Sequence, residues 1–403
     1  MLDLFRKKDK KKINSDSKER LSEFRYLSDS DYYFDTACQT LRPKSVIDSE
    51  MEYYTKNNAC GGRSSYKWAE IVDQRIQDVR NGILDMLLLS RKEYSTFFGL
   101  NTTSGINQIL WGLNWDDYDQ IVTSEIEHNS VFLPVMKIAE VQNKKRIILK
   151  RQENGELIYT KKDFIKSVLV VNTTSNIDGR ELLNLRKIIK NIHSVGGIVI
   201  LDACQTMAHN PHFLSELNYD AILFAGHKMY GPSLGIGVIR TSLLEKINPL
   251  YIGGGTVSDT TRDYYELMEK DRIFEKIEPG LQNWAGIWAM KEVLDFYKSV
   301  DWSNENKLAQ RLNKGLKNLD LNLLSSEESS VQTFYFEKID SHLVGKLLAQ
   351  KNIMVRIGYF CCHYYLKEAS PKPPLIRISL GLHNTERDID FVLDTLKQIQ
   401  QLN

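Results

Sequence analysis

One lysine in this chain has neighbours that could make it a nucleophile. Lys228 lies in Ala225-Gly226-His227-Lys228-Met229-Tyr230-Gly231-Pro232, a glycine-bounded loop after the apolar run Ala221-Ile222-Leu223-Phe224. Upstream, the β-branched run Ile198-Val199-Ile200-Leu201 ends in Asp202. A lysine amine can hold an aldehyde cofactor as a Schiff base, and a carboxylate beside a ring nitrogen keeps that nitrogen protonated. Those are the two requirements of pyridoxal phosphate chemistry. Taken singly, Lys228 reads as a solvated charge and Asp202 as a helix N-cap. Their conjunction is what points to a cofactor site.

Further candidates extend the pattern. Asn101-Thr102-Thr103-Ser104-Gly105 precedes an apolar helical run, so Thr102 and Thr103 could add hydroxyls to a phosphate held by free amides at a helix N-terminus; a plain N-cap is the simpler alternative. His128 follows another strand-like run and could lay a flat imidazole over a cofactor ring. Gln205, three residues past Asp202, could hydrogen-bond the ring's phenolic oxygen. Cys361 stands in Val355-Arg356-Ile357-Gly358-Tyr359-Phe360-Cys361-Cys362-His363, where Arg356, His363 and a bend at Gly358 give a mobile loop the means to favour a thiolate over a packed thiol. Arg377 interrupts the apolar strand Leu375-Ile376-Arg377-Ile378-Ser379. Its guanidinium needs an anion, either a substrate carboxylate bound bidentately or a structural ion-pair partner.

The elements that must position these residues are strands alternating with helical patterns. Runs at Gln120–Thr123, Arg146–Leu149, Val168–Asn172, Ile198–Ala203, Ala221–Ala225 and Gly235–Arg240, with helical spacing between several of them, predict an α/β fold around a mainly parallel sheet. Ligands of such sheets lie beyond the carboxyl ends of the strands. Asn172, Asp202 and Lys228 are all expected at that edge. From about Glu292 onward, amphipathic stretches at Asn304–Leu319, Ser341–Ala349 and Thr385–Gln401 and short strands near Val331–Phe336 and Leu375–Ser379 predict a smaller α+β domain. The expected division is a basic disordered tail over 1–25, a segment 26–55 packing with the small domain, a large cofactor domain over 56–295, and the small domain over 296–403.

Composition sets the outer limits. The 403 residues carry a net charge of +1, which argues against a nucleic-acid surface. Cys38, Cys60, Cys204, Cys361 and Cys362 form no C-x-x-C pair, which suits a reducing, cytoplasmic setting. No apolar run reaches the length of a membrane span, and the cluster Arg6-Lys7-Lys8-Asp9-Lys10-Lys11-Lys12 reads as a tail.

With these residues in hand, the chain resembles the class V aminotransferase superfamily of fold-type I pyridoxal phosphate enzymes, and within it the SufS-like cysteine desulfurases. The likeness runs from about Tyr33 to Leu396 and rests on the Lys228 loop, Asp202-Ala203-Cys204-Gln205, Arg356-Ile357-Gly358-Tyr359-Phe360-Cys361, and Arg377-Ile378-Ser379-Leu380-Gly381-Leu382-His383-Asn384-Thr385. The resemblance implies that Lys228 carries the cofactor, Asp202 pairs with its ring nitrogen, His128 stacks on the ring, and Asn172 and Gln205 contact the cofactor or its substrate adduct. It further implies that Thr102, Thr103 and His227 hold phosphate, that Arg377 binds the α-carboxylate, and that Cys361 accepts sulfur from L-cysteine. The same family includes selenocysteine lyases, C–S β-lyases, epimerases and aminotransferases; a non-catalytic sulfur-assembly scaffold is a further alternative. A homodimer and a sulfur-acceptor protein are implied partners. The chain departs from the pattern at Ala225, where relatives often have a hydroxyl, and at Leu281, where they reach a threonine across the dimer interface. It departs again at Cys60-Gly61-Gly62-Arg63 and at Tyr359-Phe360.

Overall fold

The computed structural model describes residues 21–62, 64–215 and 217–401. Eight strands form the central sheet in the order β2 (Tyr94–Gly99), β9 (Gly235–Arg240), β8 (Ala221–Ala225), β7 (Ile198–Asp202), β6 (Ser167–Asn172), β3 (Gln120–Ser124), β4 (Lys145–Arg151), β5 (Leu157–Ile158). The run from β8 through β7, β6 and β3 to β4 is parallel. β9 is antiparallel to both β8 and β2, so β2 runs in the same direction as β8. The carboxyl ends of β2, β3, β6, β7 and β8 therefore open on one edge.

Burial on both faces explains why these strands read as continuous apolar runs. Val122, Leu169, Val171, Val199, Leu201 and Phe224 face one core. Ile121, Val168, Val170, Ile200 and Leu223, their alternating neighbours, face another. The first core is closed by α1 (Lys44–Lys56), α2 (Lys67–Met86), α5 (Leu185–His193), α6 (Cys204–His209) and α8 (Trp284–Ser299). The second is closed by α3 (Thr102–Gly112), α4 (Asn129–Val141) and α7 (Thr241–Lys246).

The C-terminal unit is a four-stranded antiparallel sheet, β12 (Asn322–Leu323), β13 (Val331–Tyr335), β16 (Leu375–Ser379) and β15 (Arg356–Gly358). It is backed by α9 (Ser303–Asn318), α10 (Ser341–Ala349) and α11 (Glu386–Gln400), which bury Leu312, Val344, Ile389 and Val392. Two short pairings complete the fold: β1 (Tyr32–Tyr33) lies parallel to β14 (Ile353–Met354), and β10 (Val257–Thr260) forms a hairpin with β11 (Tyr265–Leu267).

Three of the expected boundaries move. The Arg6–Lys12 cluster lies outside the described residues, but residues 21–25 are not a tail: Phe24 is fully buried, its ring 6.1 Å from those of Tyr230 and Phe296. The 26–55 segment is divided, because Tyr32 stacks on Phe391 in the C-terminal unit while α1 buries Val46 and Tyr53 in the main core. The 295/296 division falls inside α8, whose Phe296 and Tyr297 belong to the main core. The unit begins at the turn that leads into α9.

Candidate active site

The predicted residues come from the carboxyl ends of five strands, β2, β3, β6, β7 and β8, with the segments that follow them, and from the C-terminal unit. β8 runs into a single helical turn, Gly226–Lys228, that delivers Lys228. Its glycines are fixed by close approach: a Cβ on Gly226 would stand 2.5 Å from the Pro232 carbonyl, and one on Gly231 2.8 Å from Met290 Sδ. Tyr230, with φ of +61°, turns the chain inward, and its hydroxyl accepts the Leu382 N–H at 2.9 Å. Among the described residues Lys228 forms no ion pair. His227 presents its carbonyl to Thr40 N–H at 2.9 Å, and burial with the Lys228 charge pulls its imidazole down to about 4.

Asp202, at the end of β7, is buried and accepts the Cys204 N–H at 3.0 Å. Gln205, on the first turn of α6, donates Nε2 to the Ala37 carbonyl at 3.0 Å, leaving Oε1 buried with no hydrogen-bond partner in the protein. Asn172, at the end of β6, donates Nδ2 to the Ile126 carbonyl at 2.9 Å and to Glu127 Oε2 at 2.8 Å, and its Oδ1 is likewise unpartnered. Two buried amide oxygens without donors cost about 1–3 kcal/mol each. Both belong to the group of residues predicted to surround the cofactor.

His128 is the N-cap of α4. Its Nδ1 accepts the Ser130 N–H at 3.1 Å, and Ser130 Oγ lies 2.9 Å from it and 2.7 Å from Thr103 Oγ1. This fixes Nδ1 as the acceptor and leaves the proton on Nε2. Burial first, then the positive charge of Lys228, pulls its imidazole down to about 4, so it is neutral over the physiological range. Thr102 opens α3 behind an Asn101–Ser104 capping box, with Oγ1 3.2 Å from Cys204 Sγ. Burial pushes that Cys204 thiol up to about 12.

Cys361 comes from the C-terminal unit, on a loop bent by positive φ at Gly358 (+124°), Phe360 (+46°) and Cys361 (+58°). Its side chain is exposed, and its carbonyl accepts the Asn129 N–H at 2.6 Å, one residue from His128. Cys362 is its opposite: fully buried, donating Sγ–H to Asn176 Oδ1 at 3.2 Å, with burial holding the thiol far above its ordinary range. Arg356, expected to assist Cys361, instead pairs with Asp35 at 3.5 Å. Arg377 is buried and donates Nη1 to the Asn176 carbonyl at 3.2 Å, with the Phe360 ring 4.7 Å from its guanidinium. Its Nη2 is 3.4 Å from Asp35 Oδ1, and Nε has no partner.

Sequence reasoning missed Asp35, Ala37, Thr40, Glu127, Ser130 and Asn176. Glu127 is the most consequential: fully buried beneath Asn172, it accepts from Ser124 Oγ at 2.5 Å and from both nitrogens of Asn172 at 2.8 Å, and burial pushes its carboxyl up to about 7. Its place immediately before His128 was the available signal. A cavity of about 1010 Å³ between α8, α9 and the 174–183 loop touches this group of residues at Gln205 but is not lined by Lys228, Cys361 or Arg377. We place the chemistry at the strand edge, where the polar groups converge.

Sheet order, a helix-covered parallel core and this convergence define a fold-type I α/β architecture. The chain belongs to the Aminotransferase class-V family, whose model matches residues 32–392. It is 29% identical over 395 residues to a probable cysteine desulfurase of Borreliella burgdorferi, covering 92% of each chain. It is 28% identical over 384 residues to the cysteine desulfurase of Shigella sonnei, covering 92% of this chain and 93% of the relative. The apo structure of cysteine desulfurase from Thermococcus onnurineus NA1 matches with a TM-score of 0.84 at 25% identity, over 92% of this chain and 95% of the other.

Proposed function

We propose that this protein is a pyridoxal-phosphate-dependent cysteine desulfurase that converts L-cysteine to L-alanine and leaves the sulfur as a persulfide on Cys361. The observation that carries this reading is the 2.6 Å bond from the Asn129 N–H to the Cys361 carbonyl. It ties the backbone of Cys361, which bears an exposed thiol, to the residue after His128, at the edge that bears Lys228. An epimerase, an aminotransferase or a C–S β-lyase would leave that thiol without a task.

The residues fit the cofactor. Lys228 Nζ would hold its aldehyde carbon, Asp202 its ring nitrogen and His128 the ring face. The unpartnered Gln205 Oε1 and Asn172 Oδ1 are acceptors awaiting a polar group. The first amides of α3, with Thr102 and Thr103, and His227 would hold the phosphate; Ala225 adds no hydroxyl there. When bound, pyridoxal phosphate supplies an electron sink for charge developed at the substrate Cα. Arg377 fixes the substrate carboxylate, and Lys228 Nζ takes the Cα proton. The Cys361 thiolate attacks the substrate sulfur: an S–S bond forms, the substrate Cβ–S bond breaks, and the carbon skeleton takes a proton to leave as alanine.

The active form is proposed to be a homodimer. Leu100, 79% exposed beside the start of α3, and Leu281, 75% exposed on the 280–283 loop, are apolar surfaces for a second copy to cover. Sedimentation would show a monomer if this is wrong. The persulfide is proposed to pass to an acceptor protein in the cytoplasm, where the five free cysteines stay reduced. Among the described residues, no helix is long and apolar enough to cross a membrane.

The deciding experiment is a visible spectrum before and after L-cysteine, with sulfide, alanine and pyruvate measured in parallel. Alanine with sulfide is expected under a thiol reductant; pyruvate with ammonia would replace this reading with a β-lyase.

A further inference from the structure

Beside the buried Arg377, a partly buried Asp35 and a half-exposed Arg356 give the site one more charge than a carboxylate clamp requires. Asp35 stands between two guanidiniums, Oδ1 3.4 Å from Arg377 Nη2 and Oδ2 3.5 Å from Arg356 Nη1. The two arginines are register partners across β15 and β16, so one carboxylate bridges the pair. Both contacts are longer than the roughly 2.7–2.9 Å of a tight charge-assisted bond. Asp35 is also not alone in orienting Arg377: Nη2 donates to Asp35 Oδ1, but Nη1 donates to the Asn176 carbonyl at 3.2 Å and the guanidinium packs on Phe360. Nor is the side chain needed to hold its own backbone: the Asp35 carbonyl accepts the Cys38 and Gln39 N–H groups at 3.0 and 3.1 Å, and Asp35 bridges to Ser379.

Beyond that long hydrogen bond, the Asp35 carboxylate contributes charge. Two arginines and one aspartate sum to +1, which a single incoming carboxylate neutralises. We infer that Asp35 is a specificity-determining residue: its carboxylate fills the space between Arg356 and Arg377 that a second substrate carboxylate would take, so the site accepts amino acids with one carboxylate and rejects dicarboxylic ones. A fixed like charge against the wrong ligand is a common route to discrimination. The inference rests on the reading of Arg377 as the α-carboxylate ligand.

The test uses the holoenzyme and two thiols that lack an amine, 3-mercaptopropionate and mercaptosuccinate, with dissociation constants read by calorimetry. The wild type is expected to favour the monocarboxylate by about tenfold or more, the scale of one unfavourable close charge. Asp35→Asn should erase or reverse that preference by tightening mercaptosuccinate, Asp35→Ala should do the same, and adding Arg356→Gln should abolish the gain. An unchanged preference in both Asp35 variants, or equal weakening of both ligands, overturns the inference and leaves Asp35 a structural residue. If the wild type binds neither ligand, the Arg377 assignment fails and takes the inference with it. Wild-type binding of 3-mercaptopropionate that Arg377→Gln abolishes would keep that assignment standing on its own.

Discussion

The Lys228 and Cys361 loops carry the two groups proposed to react, and they are built in opposite ways. The Lys228 turn hangs from a wholly buried strand, its Gly226 is imposed by backbone contact at 2.5 Å, and Tyr230 behind it is fully buried. The Cys361 loop exposes its thiol between the buried Phe360 and Cys362, is bent by three left-handed residues, and has nothing within 4 Å of where a Cβ on Gly358 would sit. An anchor for a cofactor must not move. A thiol proposed to collect sulfur and surrender it to another protein must reach outward, and loops are where such mobility is found.

Substitutions at the two reactive groups break the comparison most completely. Lys228→Ala should remove the proton-transfer group and the covalent link together, lowering turnover by about 10²–10⁴-fold or more, with loss of the visible band of the bound cofactor. Cys361→Ala should abolish sulfide release from L-cysteine just as fully yet keep that band. Full desulfuration by the Cys361 variant would remove the thiol from the mechanism.

Glycine replacements sharpen the contrast through stability. Gly226→Ala drives a methyl into the Pro232 carbonyl, which cannot yield without moving the lysine turn, and should cost about 1–3 kcal/mol in a denaturant melt. Gly358→Ala meets open space but must adopt φ near +124°, a conformational penalty of about 1–3 kcal/mol paid in the loop itself. The two variants should differ in what they lose. Gly226→Ala should lower cofactor retention, whereas Gly358→Ala should keep the cofactor and slow sulfur transfer. Equal loss of cofactor in both would mean that the loops are not mechanically separate.

The difference between the loops also decides how much was legible in the sequence. Runs such as Val168–Val171 and Ile198–Leu201 are buried on both faces, so their apolar continuity marked the strands and their polar ends marked the edge. β2 was overlooked because Tyr94-Ser95-Thr96-Phe97-Phe98-Gly99 mixes polar and aromatic residues without an unbroken aliphatic run. Asp35 was invisible for a different reason: its contact with Arg377 spans 342 positions, and no local spacing records such a pairing. Separations of 168 and 187 positions hid Ala37 and Thr40, whose backbone atoms meet Gln205 and His227.

An effect of comparable size, read through pH, lies at the buried Glu127 that holds Asn172. Burial pushes its carboxyl from 4.5 up to about 7, so between those values the folded protein holds a proton there that the unfolded chain has released. The unfolded state then binds fewer protons, and stability from this group is lost as the pH rises from about 4.5 through about 7. Glu127→Gln removes the titration. It also puts an amide N–H₂ in place of one accepting oxygen, beside Ser124 Oγ if the carbonyl keeps the two Asn172 nitrogens, so its absolute stability can differ from the wild type at every pH; the informative quantity is the slope. Urea melts at pH 5 and pH 8 should show the wild type losing roughly 1–3 kcal/mol more than the variant across that interval. Because Glu127 holds both nitrogens of Asn172, the visible band of the bound cofactor should shift with pH over the same range in the wild type and stay level in the variant. Parallel slopes in the two proteins would place the titration elsewhere and leave Glu127 as a hydrogen-bond acceptor alone.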